Sequence, residues 1–300
     1  MRCPRLRGGE TGRRASAASG RRSESRAAIN PCATPWTVRS AGCEASAEWR
    51  DGSILRAVEA SAAAQYTGEG GKAYWAWQQT GVDVGGKITA LLFADYASPN
   101  KVTVDVGCGS GTVIANLEAS EKWCVELNPL AREYALKVPN GPSHAFATVD
   151  ELPDDRFDLV TSNHALEHTP CPLVLLRKLL PKLKKGGVAV FMVPSLQDEM
   201  IYQKSLRLHD TAWGADDNNH HLYVWSSQQL ANLFRVAGYE VVEAQTKKYS
   251  RTANSDGAWR SGGAEAFWAA AERENRHPQT KVVARRPAAL GYTPFKKKKT

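Results

Sequence analysis

Residues 102–111 read Val-Thr-Val-Asp-Val-Gly-Cys-Gly-Ser-Gly, and this stretch decides the fold of the chain. A short apolar strand runs directly into a turn that contains Gly107, Gly109 and Gly111. Glycine adopts positive φ angles and lets a ligand approach the backbone, and the first N–H groups of a following helix attract a negative or carboxylated group. We therefore expect a buried strand, a ligand-binding turn and a helix. A turn that only connects the two elements is the alternative.

A carboxylate stands at the tip of the second predicted strand. That strand covers Trp123–Leu127 and is followed by Asn128-Pro129, a pair that is typical of a helix start. In doubly wound nucleotide-binding sheets, an acid at this position accepts hydrogen bonds from both hydroxyls of a ribose. The sequence therefore predicts that Glu126 binds a ribose next to the glycine turn.

The spacing of the glycines indicates which nucleotide is bound. Dinucleotide-binding turns have the pattern G-x-G-x-x-G, whereas this turn reads G-x-G-x-G and has Thr112 where the third glycine would stand. Asp105 precedes the first glycine by two residues. This combination disfavours a pyrophosphate ligand and favours a cofactor with an amino-acid end and a ribose. A nicotinamide-dependent oxidoreductase on a similar sheet is the alternative.

With these motifs the sequence resembles the class I S-adenosylmethionine-dependent methyltransferases over about residues 66–286. The resemblance implies a Rossmann-like α/β fold, with a mostly parallel sheet of seven strands, the last one antiparallel, and helices on both faces. It also implies that Asp105 faces the methionine ammonium and that Glu126 holds the ribose. The cofactor-binding residues that we predict on this basis are Asp105, Gly107, Gly109, Gly111, Glu126, Leu127, Asp150 and Asn163.

The remaining pattern alternates short apolar runs with helix-like segments, which is typical of an α/β sheet. Pro181 should end or kink a helix that begins near Pro172, and Ser226 should cap a helix that ends at Gly238. Residues 195–223 have no clear period and read as a long loop. The further predicted strands are His144–Thr148, Phe157–Ser162, Val188–Val193, Glu240–Ala244 and Lys281–Arg285.

Two histidines and a glutamate follow the fourth predicted strand, where a class I methyltransferase brings its acceptor to the methyl group. They are His164, Glu167 and His168. They are candidates for a general base, for ligands of a divalent cation, or for a hydrogen-bonded loop without chemistry. His221, in the loop after the fifth strand, is a further candidate for substrate contact or capping. We predict His164, His168 and His221 as the catalytic residues.

The same segment has a narrower resemblance to the ubiquinone-biosynthesis O-methyltransferases, which have an E-x-x-E-H segment here and are associated with a metal. His164 stands at the first ligand position in place of a carboxylate. Imidazole is a softer donor, better suited to zinc or iron than to magnesium. We therefore predict no metal.

Upstream, the aromatic residues of Tyr74-Trp-Ala-Trp77 either cover the cofactor and acceptor or pack a helix onto the sheet.

The net charge of +8 is concentrated at the ends of the chain. Residues 1–50 contain ten Lys or Arg and four acidic residues, and residues 296–299 are four lysines. The part between these ends is slightly acidic, so we expect no nucleic-acid partner. We predict a disordered basic extension at 1–50, a methyltransferase domain at 51–290 and a basic tail at 291–300. The extension resembles an organellar transit peptide, a plain extension or a mispredicted start being the alternatives.

The cysteines and the apolar runs limit the setting of the protein. The six cysteines include no C-x-x-C pair, and we expect a reduced, intracellular location: plastid or mitochondrion if the extension is a transit peptide, otherwise cytoplasm. No apolar run approaches the roughly 18 residues of a membrane span. We expect an S-adenosylmethionine-dependent methyltransferase with a small-molecule acceptor. A non-catalytic binding module of the same fold is a second alternative.

Overall fold

The computed structural model describes residues 63–79, 82–198, 200, 221–247, 253–274 and 278–288 of the 300-residue chain. The strands that it describes are β1 (Val102–Val106), β2 (Glu121–Val125), β3 (His144–Phe146), β4 (Phe157–Asn163), β5 (Leu183–Pro194), β6 (Glu240–Lys247) and β7 (Gln279–Arg285). The helices are α1 (Gly68–Gln78), α2 (Val82–Ala90), α3 (Thr112–Ala115), α4 (Pro129–Ala135), α5 (Pro172–Leu179), α6 (Ser227–Ala237) and α7 (Ala253–Glu274).

The strands form one sheet in the order β3-β2-β1-β4-β5-β7-β6. The pairs β1–β2, β2–β3, β1–β4 and β4–β5 are parallel, and β7 is antiparallel to both β5 and β6. All five residues of β1 are buried, as expected for a central parallel strand that is covered on both faces. The predicted seven-stranded sheet with an antiparallel last strand is confirmed.

Helices pack on both faces of the sheet, because successive side chains of a strand point to opposite sides. On one face, Phe191 of β5 belongs to a core with Leu176 of α5 and Phe234 of α6. On the other face, its neighbour Met192 belongs to a core with Ile88 of α2 and Phe267 of α7. The predicted layering of helices on both faces is confirmed.

The predicted helix boundaries are also confirmed. The Asn128 side chain caps α4 by accepting a hydrogen bond from Leu130 N at 3.0 Å, and Ser226 forms a capping box at the start of α6. Gly238 ends α6 with a φ of 104°. The helix that begins at Pro172 ends at Leu179, and Pro181 lies in the short 3-10 turn that follows it.

Some strand boundaries differ from the prediction. β2 ends at Val125, so Glu126 and Leu127 lie just beyond the strand. β5 begins at Leu183, before the predicted start at Val188, and contains Gly186 with a φ of 78°. The register between β4 and β5 shifts next to Phe157, which accommodates the glycine turn inside the strand. Residues 253–274, for which the sequence shows no clear pattern, form the helix α7, which has a kink at Gly263.

Several predictions lie outside the described residues. They are the disordered extension at 1–50, the basic tail at 291–300 and most of the loop predicted at 195–223. These remain predictions, together with the domain boundaries and the location in the cell. Within the described part of the chain, no helix combines the length and the apolar character that crossing a bilayer requires.

Candidate functional site

A cavity of about 450 Å³ opens at the carboxyl ends of the parallel strands β1, β2 and β4. This is the edge of an open α/β sheet at which ligands bind. The structure brings six of the predicted site residues to its wall, namely Gly107, Glu126, Leu127, Asp150, His164 and His168. Five other predicted residues are not part of this wall: Asp105, Gly109, Gly111, Asn163 and His221.

The glycine turn needs glycine for two different reasons. At Gly107, φ is +75°, and an added Cβ would stand 2.2 Å from the Cβ of Ala165, which follows β4. At Gly109, φ is +52°, and the nearest atom to an added Cβ is Oε1 of Gln78, at 3.8 Å. The turn is therefore pressed against the β4 loop at Gly107 and leaves space under a side chain of α1 at Gly109.

Two elements fix the position of the turn against β2. The N–H of Gly107 donates to the carbonyl oxygen of Val125 at 2.8 Å. A disulfide joins Cys108 in the turn to Cys124 in β2, with a Cα–Cα distance of 5.8 Å. No local sequence pattern pairs these cysteines, because their contact depends on the register between β1 and β2.

The carboxylate of Glu126 is held by the backbone at the cavity wall. Its Oε2 accepts a hydrogen bond from Gly109 N at 2.9 Å, and its Oε1 accepts one from Asn128 N at 2.8 Å. Burial raises the pKa of Glu126, and these backbone hydrogen bonds oppose the rise because they stabilise the charged form. Each carboxylate oxygen has two lone pairs, so the group retains acceptor capacity toward a ligand.

Asp105 is buried beneath the turn. Its Oδ1 accepts a hydrogen bond from Thr161 Oγ1 at 2.8 Å. Burial raises the pKa of Asp105 to about 7, and the Thr161 hydrogen bond opposes this rise. Its predicted contact with a methionine ammonium remains a prediction.

Asp150 and Leu127 line the cavity together with Glu126. Asp150 lies in the short 3-10 turn Val149–Glu151 after β3. Its Oδ2 is 2.8 Å from Nζ of Lys178, a residue of α5 that also lines the cavity. No sequence signal marks Lys178, since a lysine on a predicted helix is ordinarily a solvated residue.

The histidine segment after β4 converges on one buried carboxylate. The nearest ring nitrogens of His164, His168 and His221 lie 3.7, 4.0 and 4.0 Å from Oε1 of Glu167. The backbone N–H of Leu222 donates to the carbonyl oxygen of Glu167 at 2.9 Å, and this bond holds the segment around His221 against the loop.

His164 has an unusual backbone. Its φ is +53°, a conformation that non-glycine residues seldom adopt, and its N–H donates to the carbonyl oxygen of Met192 at 2.9 Å. Burial lowers the pKa of His164 to about 4, with the nearby charge of Asp198 opposing this shift. The imidazole is therefore neutral at pH 7, and its low pKa makes it a weaker base than an ordinary histidine.

Glu167 and His168 after β4, together with His221 after β5, form a set of groups that could hold a cation. One donor atom each of Glu167, His168 and His221 lies within 4.8 Å of the other two. One carboxylate and two imidazoles are a donor set that zinc uses in enzymes. The cluster is thus suited either to proton transfer or to a divalent cation, and the expectation that no metal is used remains a prediction.

The aromatic segment before β1 has two roles. Tyr74 lines the cavity, whereas Trp75 is buried and packs against Tyr134 of α4 with ring centroids 5.3 Å apart. Tyr66 and Gln78, which no sequence motif marks, also line the cavity. Gln78 stands four residues after Tyr74, the spacing that places two side chains on one face of a helix.

Comparisons with known proteins agree with this fold. A family model described as a methyltransferase domain matches residues 74–244, which is more than half of the chain. A methyltransferase of Mycobacterium bovis described as uncharacterized is 31% identical over 135 residues, which are 42% of this chain and 65% of that protein. A ubiquinone biosynthesis O-methyltransferase of Xanthomonas campestris is 33% identical over 104 residues, 31% of this chain and 43% of that protein.

The chain thus spans less than two thirds of the length of these curated relatives. Among solved structures, a chain from the complex of the Haloferax volcanii Trm112 methyltransferase activator with a methyltransferase matches with a TM-score of 0.51. Its sequence identity is 19%, and the match covers 71% of this chain and 97% of that one. At this identity the structural match supports the fold, and it agrees with the predicted Rossmann-like sheet.

Proposed function

We propose, because this chain belongs to the family of methyltransferase domains, that its cavity binds S-adenosylmethionine and that the protein transfers the methyl group to a small molecule. The observation that supports this proposal best is the carboxylate of Glu126. Backbone N–H groups of Gly109 and Asn128 hold it at the cavity wall, where a ribose would need two hydrogen-bond acceptors. The family match favours this function over a nicotinamide-dependent oxidoreductase.

The residues around the cavity are suited to this cofactor. Gly107 gives close access to the backbone of the turn, and Leu127 offers an apolar contact for a purine ring. The carboxylate of Glu126 gives the cavity wall a negative charge, which matches a ligand whose sulfur and amino group are positively charged. When bound, S-adenosylmethionine supplies a methyl group that is already electrophilic, because it is attached to a positively charged sulfur.

The protein then contributes orientation, exclusion of water and proton transfer. Holding the two reactants in line can lower the activation barrier by about 7–11 kcal/mol. After β4, the imidazole of His168 or, less readily because of its low pKa, that of His164 can remove the proton of an acceptor hydroxyl or amine, and a general base typically contributes about 10²–10⁴-fold in rate. A non-catalytic module would require neither this base nor the buried carboxylate of Glu167 beside it.

The wall on the acceptor side supports a small and partly apolar acceptor. Tyr66 packs against His168 with ring centroids 5.8 Å apart, and the cavity wall also contains Pro170, Cys171, Val174 and Leu175. The relative from Xanthomonas campestris is named an O-methyltransferase, which makes a hydroxyl acceptor the first one to test.

Two measurements test this function. Calorimetric titration should show binding of S-adenosylhomocysteine and no binding of NADH, whereas the reverse would overturn the proposal. A screen with radiolabelled S-adenosylmethionine and cell extract should transfer label to small molecules in the presence of the protein. Binding without any transfer to the extract would instead favour a non-catalytic module.

A further inference from the structure

Helix α1 is fixed above the glycine turn by contacts that tolerate little change. Nδ2 of Asn128 donates to the carbonyl oxygen of Gly71 at 2.8 Å, and this bond joins α1 to the turn after β2. A Cβ at Gly71 would stand only 2.4 Å from the carbonyl oxygen of Tyr66. The residue that caps α4, just after Glu126, therefore also sets the position of α1.

This placement brings the side chains of Tyr74 and Gln78 to the cavity wall next to the turn. The amide of Gln78 is hydrogen-bonded to the Tyr74 hydroxyl. Its Oε1 and Nε2 lie 3.8 and 4.0 Å from the point where a Cβ of Gly109 would stand. The amide is therefore held over the central glycine of the turn by a side chain from its own helix.

The surroundings of Tyr74 keep its hydroxyl protonated. Burial raises the pKa of Tyr74 well above its ordinary value, and the negative charges of Glu126 and Glu167 raise it further. A phenol that keeps its proton can accept the hydrogen bond of the Gln78 amide and still donate one. The pair is thus a neutral set of donors and acceptors beside a carboxylate-rich part of the cavity.

We propose that Gln78, oriented by Tyr74, binds the amino-acid end of the cofactor above Gly109. An amide offers one acceptor oxygen and two N–H donors, which complement an ammonium and a carboxylate respectively. This inference rests on the function proposed above. It assigns the recognition of the amino-acid end to α1 in addition to the glycine turn and Asp105.

A pair of ligands isolates this contact. S-Adenosylhomocysteine and 5′-methylthioadenosine share the adenosine and the thioether, and only the first has the amino-acid end. In calorimetric titrations, Gln78→Ala should weaken binding of S-adenosylhomocysteine by about 10-fold or more, as expected for hydrogen bonds to charged groups. The affinity for 5′-methylthioadenosine should change less than about 2-fold, because this ligand lacks the amino-acid end and shares no contact with Gln78.

The neighbouring Gln79 provides the matched control. Gln79 is exposed and does not line the cavity, so Gln79→Ala should leave the affinities for both ligands unchanged. Tyr74→Phe should weaken the binding of S-adenosylhomocysteine less than Gln78→Ala does, because it removes only the hydroxyl that orients the amide. Gln78→Met, which keeps the length of the side chain, serves as the second variant if Gln78→Ala unfolds.

The outcomes separate this inference from the proposed function. Selective loss of S-adenosylhomocysteine binding in Gln78→Ala or Gln78→Met supports it. An equal loss for both ligands, or no loss for either, overturns it while leaving the proposed function intact. If the wild-type protein binds neither ligand, the proposed function fails, and the role of Gln78 fails with it.

Discussion

The two halves of the cavity are built in different ways. The cofactor half is made mostly by the backbone: Gly107 and Glu126 follow neighbouring strands, and N–H groups hold the carboxylate in place. The proposed acceptor half depends on side chains that the fold collects from distant segments, since His164 and His168 of the wall and His221 outside it all lie near Glu167. In the proposed function, recognition of the ribose therefore depends on the glycine turn and the acid that follows β2, whereas acceptor chemistry depends on the tertiary structure.

Replacing the candidate base should have the largest effect and should separate the two halves. His164→Asn removes the imidazole and keeps a residue type that tolerates a positive φ. We expect methyl transfer to fall by about 10²-fold, the lower end of the range for a general base, because the low pKa of His164 weakens it as a base. The affinity for S-adenosylhomocysteine should be unchanged. His144→Asn, at the start of β3 and away from the cavity, is the control and should retain the wild-type rate. A parallel loss of cofactor affinity in His164→Asn would mean that the halves are not separable.

The pH dependence of stability tests the buried acid below the turn. The pKa of Asp105 is about 7 in the folded protein and 3.8 as its ordinary value, so folding takes up a proton between these pH values. The free energy of unfolding should therefore be higher near pH 4 and fall as the pH rises toward 7, by a contribution of about 4 kcal/mol. Urea unfolding of the wild type and of Asp105→Asn across this range measures it. Asp105→Asn should reduce the slope, and an unchanged slope would contradict the assignment.

Two glycines with similar φ angles separate backbone strain from close packing. Gly186 has a φ of 78° with no atom within 4 Å of an added Cβ, whereas Gly107 has a φ of 75° and Ala165 at 2.2 Å. Gly186→Ala should lower the free energy of unfolding by about 1–2 kcal/mol. Gly107→Ala should lower the free energy of unfolding by about 1–3 kcal/mol more than Gly186→Ala does. It should also weaken the binding of S-adenosylhomocysteine. Equal costs in urea unfolding would show that the turn is not pressed against the β4 loop.

The smallest effect is expected at the edge of the cofactor half. Asp150 pairs with Lys178 at 2.8 Å and lines the cavity, and Asp154 pairs with Lys182 at the same distance without lining it. Both aspartates are exposed, so each ion pair itself is worth at most about 1 kcal/mol. In calorimetric titration, Asp150→Asn should lower the affinity for S-adenosylhomocysteine several-fold, and Asp154→Asn should leave it unchanged. Equal effects would remove Asp150 from the cofactor site.

The sequence predicts the residues of the cofactor half better than those of the acceptor half. The glycine spacing and the acid after β2 are local signals, and they lead directly to Gly107 and Glu126. Gln78 carries no such signal, because its place above the turn depends on a hydrogen bond between Asn128 and Gly71, which are 57 residues apart. The contact of His221 with Glu167 likewise depends on how the segment after β5 returns to the sheet.

The most direct test of the account is the affinity of Glu126→Gln for S-adenosylhomocysteine. Glu133→Gln is the matched control, because Glu133 is an exposed acid on α4, paired with Lys137 and outside the cavity wall. The account predicts a loss of about 10- to 100-fold in calorimetric titration for Glu126→Gln, the value of hydrogen bonds to a charged group, and no loss for Glu133→Gln. An affinity of folded Glu126→Gln equal to that of the wild type would contradict the assignment of the ribose to this carboxylate.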